Sequence, residues 1–206
     1  MRSTSAALGG SILLMTLTAA VARAENIHWT YSWSNSPSHV TSDHNPGSYV
    51  AMSNEKVTPA VNDSFIVASN LQSFSNARVD RPDLFTNRQY KLTLTLTDTD
   101  SGKSATLMFS GEFNGLMSAT NSSISNTFLG QQSYTVVLGQ HKYTVTINAY
   151  TPPGPPGANN SGAIAAHASV IVTLVNTPEP ASLTLLLLGT GLLFISRRGR
   201  RVLVPT

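Results

Sequence analysis

Several groups of side chains in this chain have the types and spacings that chemistry requires. Asp98, Asp100 and Gly102, in the run Asp98-Thr99-Asp100-Ser101-Gly102, are spaced like the opening of a calcium-binding loop. Such a loop needs a bidentate glutamate at its twelfth position, and counting from Asp98 puts Phe109 there. The EF-hand form is therefore excluded. A solvated turn is the favoured reading, with a looser calcium site as the alternative. His39, Asp43 and His44 offer two imidazoles and a carboxylate within one polar stretch, residues 35–46, but without the fixed spacing of a zinc motif. Arg78, Asp80, Arg81, Asp83 and Arg88 form a mixed-charge stretch around residues 76–87, read as a solvated connection in which opposite charges compensate. His141 and His167 stand alone, as packed or solvated histidines usually do. Trp29, Tyr31 and Trp33 repeat every second residue, a spacing that suits either stacking on sugar rings or filling a β core, and the core reading is favoured. The chain has no Gly-x-Ser-x-Gly elbow, no phosphate-binding Walker loop and no His-Glu-x-x-His. Its sparse acids leave a glycosidase carboxylate pair unsupported.

These groups must be positioned by strands, because the hydrophobic period between residues 25 and 177 is two. Ile27, Trp29, Tyr31 and Trp33 alternate with polar residues; so do Leu92, Leu94 and Leu96, then Ala105, Leu107 and Phe109 with Met108 an exception, then Tyr143, Val145, Ile147 and Ala149. Further strands are expected at 48–53, 63–74, 123–129, 133–138 and 164–175, about nine or ten in all. The tetrapeptide Leu138-Gly139-Gln140-His141 predicts a type II′ hairpin, and Asp98 to Gly102 a turn between two long strands. Asn114-Gly115 predicts another tight turn. Residues 151–157, with four prolines, read as a stiff polyproline-II loop. The expected fold is all-β: an antiparallel β-sandwich, Ig-like or jelly-roll-like, flanked by an N-terminal signal helix and a C-terminal hydrophobic helix.

Composition narrows the function. The 206 residues include no cysteine, which excludes a disulfide scaffold, a cysteine zinc site and a thiol nucleophile. The formal charge of +3 is unevenly distributed. Residues 25–177 hold seven basic and nine acidic residues, about −2, whereas the remaining basic residues sit at the two ends. The high isoelectric point therefore belongs to membrane-flanking segments, and no nucleic-acid partner is expected.

The ends read as addresses. Arg2, the apolar stretch 6–21 and Ala22-Arg23-Ala24 have the three-part order of a secretory signal, with signal peptidase expected to use Ala22 and Ala24 and to cut before Glu25. An uncleaved anchor is the alternative. At the other end, Pro178-Glu179-Pro180 is followed by an uncharged, leucine-rich run, 181–195, and then by Arg197, Arg198, Arg200 and Arg201. As a helix the run would be roughly 22 Å long, short for a bilayer core of about 30 Å. Snorkelling arginines and local thinning would close that gap. The arginines should remain cytoplasmic, which holds the middle of the chain outside the inner membrane.

This C-terminal order of tripeptide, hydrophobic run and arginine cluster resembles the PEP-CTERM sorting signal of exported proteins in Gram-negative bacteria that make extracellular polysaccharide. The resemblance covers about the last 30 residues. It implies recognition around Pro178, Glu179 and Pro180 by an exosortase, a membrane protease of transpeptidase type. Val202 to Thr206 extend past the arginines, where the family usually ends sooner. The resulting division is a signal peptide at 1–24, an exported β-sandwich domain at 25–177, a sorting signal with a short transmembrane helix at 178–201 and a tail at 202–206. The expected function is a non-enzymatic structural or adhesive protein of the cell surface or extracellular matrix, as in a biofilm, without a cofactor. A module binding the exopolysaccharide layer and a secreted hydrolase are the alternatives.

Overall fold

The computed structural model describes residues 26–157 and 160–173. Eleven strands follow one another: β1 His28–Ser36, β2 His39–Thr41, β3 Tyr49–Met52, β4 Glu55–Val61, β5 Ser64–Phe74, β6 Asp83–Asp98, β7 Ser104–Met117, β8 Ser125–Leu129, β9 Ser133–Leu138, β10 His141–Thr151 and β11 Ser161–Val172. No helix occurs among the described residues. The expected signal and C-terminal helices, the cleavage residues Ala22 and Ala24, Pro178 to Pro180 and the four arginines lie outside them.

Every pairing is antiparallel. One sheet has the order β4-β1-β6-β7-β8 and the other β2-β3-β5-β11-β10-β9. Their inner faces contribute to one core: Trp29, Trp33, Leu92, Leu94, Leu96, Phe109 and Phe113 from the first, Ile66, Leu71, Tyr143, Val145, Ile147 and Ile164 from the second. Trp29 meets Tyr143 edge-on at 5.9 Å, and Phe109 meets Tyr134 at 5.1 Å, so aromatic contacts join the sheets. The expected all-β, two-sheet antiparallel architecture is thus present. Its five and six strands exceed the four and four of a jelly roll and the four and three of a constant-type Ig domain.

Local chemistry explains where the chain departs from simple alternation. Gly139 takes φ 62° at the first central position of the β9–β10 hairpin, as a type II′ turn requires. Asn87, at φ 48°, lies where the β6–β7 register shifts between Phe85 and Arg88. Asparagine tolerates this left-handed conformation, so the strand bulges and continues. The stretch 83–87, expected as loop, is consequently the start of β6. Asn114-Gly115 is likewise not a turn. It lies within β7, with Gly115 opposite Phe85 and at φ 138°.

Candidate functional site

A buried polar cluster lies at one end of the sandwich, where two hairpins from opposite sheets meet. Asp98 ends β6 and His141 begins β10. Asp98 has no solvent exposure and His141 almost none. The carboxylate accepts three hydrogen bonds. Ser101 N–H reaches Oδ1 at 2.7 Å; the Tyr143 hydroxyl and His141 Nδ1–H each reach Oδ2 at 2.5 Å. Burial alone would raise the Asp98 pKa, but the bonds from Tyr143, His141 and Ser101 outweigh it and hold the group at about 2, below its ordinary 3.8. Tyr143 moves the opposite way. Desolvation first, then its bond to a negative acceptor, raise its hydroxyl far above the usual range. At neutral pH Asp98 is a carboxylate held by the Tyr143 hydroxyl and the His141 ring.

The cluster overturns the reading of Asp98 as a solvated turn residue, and it accounts for His141, which packs rather than floats. It also engages both Asp98 carboxylate oxygens in hydrogen bonds within the protein. Among the described residues there is no group of three or more His, Asp or Glu side chains able to hold a metal ion. A surface depression of about 410 Å³ opens beside the cluster, lined by Asp100, Ser101, Lys103 and Gln140 as well as the buried pair. A carboxylate-oriented imidazole is half of a hydrolytic relay, but the other half needs a hydroxyl that donates to it. Among the described residues no serine or threonine hydrogen-bonds to His141, and Ser101 Oγ instead accepts the Lys103 N–H at 3.3 Å. What the geometry does is tie the β6–β7 turn of one sheet to the β9–β10 hairpin of the other.

The remaining candidates separate. Asp43 accepts bonds from Thr86 through N–H at 3.1 Å and Oγ1 at 2.6 Å. The Thr86 hydroxyl is the main reason that its pKa is lowered, with Arg88 adding a smaller pull. His39 packs edge-on against Tyr49 at 4.9 Å. His39, Asp43 and His44 are not gathered into a metal site. Arg78 grips Asp80 in an exposed fork at 2.9 and 3.0 Å, the charge compensation expected of that stretch. Asp83 accepts bonds from Asn45 at 2.9 Å and from Ser48, holding the β2–β3 loop. Arg88 donates to Thr41 at 3.0 Å. Trp29 and Trp33 are 1% and 2% exposed, and Trp29 Nε1–H donates to Asn62 O at 3.0 Å. They form the core and give no platform for a sugar. His167 is half-buried on the outer face of β11, with its ring 4.7 Å from that of Phe65.

Sequence reasoning missed the Asp98–His141–Tyr143 cluster, although a signal for it existed. Asp98 continues the buried parity of Leu92, Leu94 and Leu96, and His141 precedes that of Tyr143, Val145 and Ile147.

Neither a curated protein nor a solved structure matches the chain. The PEP-CTERM protein-sorting motif does, over residues 176–201, which contain Pro178, Glu179, Pro180 and the four arginines. The all-β domain that precedes it corresponds to no characterised family, and the chain carries a PEP-CTERM protein-sorting motif at its C-terminal end.

Proposed function

We propose that this chain is an exported, non-enzymatic protein of the cell surface, delivered by its C-terminal motif and serving there as a structural or adhesive component. The match of residues 176–201 to a sorting motif carries the reading. An exosortase-type protease is the implied processing partner. Signal peptidase would act earlier, at Ala22 and Ala24. The inner membrane would hold residues 181–195 until processing. The sandwich suits such a role: its Asp98–His141–Tyr143 cluster spends its hydrogen bonds on tying hairpins together, and its sequence has few charges and many hydroxyls.

Replacement of Pro178, Glu179 and Pro180 by alanine tests the reading in a host that has the exosortase. The expected result is a membrane-bound, uncut precursor and a depleted surface fraction. Normal maturation of the triple variant would contradict it.

A further inference from the structure

The outer face of the six-stranded sheet carries an aromatic strip that the sorting motif does not explain. Along β5 the outward residues are Phe65, Val67, Asn70, Gln72 and Phe74. They share one face because the register slips between Ile164 and Ala165 of β11. Ala68 and Ser69 are consecutively buried, as a bulge demands, and alternation resumes beyond them. Phe65 is 84% exposed and leans on His167 at 4.7 Å. At the far end Phe74 stacks on Tyr49 at 4.8 Å and 21°. The two aromatic ends are nine residues apart, roughly 30 Å of strand. Between them lies a depression of about 490 Å³, whose polar groups come from Ser53, Asn70, Gln72 and Ser161.

We propose that this strip binds an uncharged polysaccharide chain lying along β5. A pyranose ring presents a face of polarised C–H bonds that rests on the negative face of an aromatic ring. Its hydroxyls need donors and acceptors beside that ring, which the Gln72 amide, the Ser161 hydroxyl and the Asn70 side-chain carbonyl supply, while Ser53 and the Asn70 NH2 bond to Glu55. The residues lining the depression carry no charge, which matches a neutral glycan and offers nothing to pair with an acidic one. Glu55 stands at its margin, accepting the Asn70 amide at 2.8 Å, and would repel an acidic chain. The apolar groups are also split into two ends by amides, whereas a protein partner favours a continuous apolar centre. Binding by this face is independent of how the chain reaches the surface, so a defect in sorting and a defect in binding are separately visible.

Affinity electrophoresis of the full chain in detergent tests the proposal, with hydroxyethyl cellulose, laminarin or galactomannan in the gel and alginate as the acidic comparison. Retardation is expected in at least one neutral gel. Phe65→Ala combined with Phe74→Ala should weaken it by at least about tenfold, the loss expected from two ring contacts. Phe65→Trp should retain it. Met108→Ala, on the outer face of the other sheet, should leave it unchanged. The proposal is overturned by no retardation in any neutral gel, by retardation in alginate alone, by an unaffected double variant, or by an equal loss in Met108→Ala. It is also overturned if sedimentation shows that the double variant abolishes a dimer, since the strip would then be a contact between copies.

Discussion

Asp98 Oδ2 and His141 Nδ1 lie 2.5 Å apart, joining the last residue of β6 in one sheet to the first residue of β10 in the other. Each comes from a hairpin turn, so one hydrogen bond fixes two chain reversals. The Tyr143 hydroxyl reaches the same oxygen, and its ring meets Trp29 across the core. Removal of the carboxylate charge should therefore cost more than an ordinary surface substitution. Asp98→Asn is expected to destabilise the fold by about 3 kcal/mol, because a buried charged acceptor and its partners lose their match. Urea unfolding monitored by tryptophan fluorescence measures this, and a change below about 0.5 kcal/mol would contradict the role assigned to the cluster.

The same residue sets a pH dependence. Its pKa in the folded protein, about 2, lies below the value of 3.8 that it has when unfolded. The unfolded chain binds the proton more readily, so stability rises with pH through this window. The contribution of Asp98 is complete above about pH 4 and is lost as pH falls through 2. Denaturation midpoints of the wild type and Asp98→Asn should lie furthest apart at neutral pH and converge between pH 4 and pH 2. A constant separation over that range would contradict the assignment.

Coupling between Asp98 and Tyr143 is separable from packing. Tyr143→Phe keeps the ring against Trp29 and removes only the hydroxyl. The double-mutant cycle of Asp98→Asn with Tyr143→Phe should give an interaction energy of about 1–2 kcal/mol. Additive losses would mean that the hydrogen bond contributes nothing beyond its parts.

Substitution at Gly115 distinguishes a position within β7 from a solvated turn. A Cβ there would lie 2.1 Å from Ser123 O, a backbone atom that cannot swing aside, and φ is 138°. Gly115→Ala should cost about 3 kcal/mol by combining overpacking with backbone strain. Gly102→Ala, with φ 65° and nothing within 4 Å, should cost about 1 kcal/mol. Equal losses in thermal unfolding would place Gly115 in a solvated turn after all.

Alternation made much of this fold legible. Ser133–Leu138 matches its expected strand residue for residue, and Leu92, Leu94 and Leu96 point inward as their spacing requires. Legibility failed where residue type and position disagree. Asp98 is a charged residue in a core position, so its type suggested a turn while its parity placed it among the leucines. Glu55–Val61, with Lys56 and Pro59, has the polar, proline-bearing composition of an edge strand and is β4, at the edge of its sheet. His39–Thr41 is too short to show any period. The first half of β6 was hidden by the bulge at Asn87. Phe65 exposes a further limit: alternation separates two faces, but hydrophobicity alone assigns a phenylalanine to the inner one, and here it stands outside. The aromatic strip was therefore invisible until the register of β5 against β11 was known.

Residues 176–201, which match a sorting motif, would serve as an address and be absent from the working protein. Intact-mass analysis of the chain recovered from the cell surface tests it most directly. The expected mature form begins at Glu25 and ends near Pro178 to Pro180, with residues 181–206 missing. A surface-located form that still ends at Thr206 would contradict it.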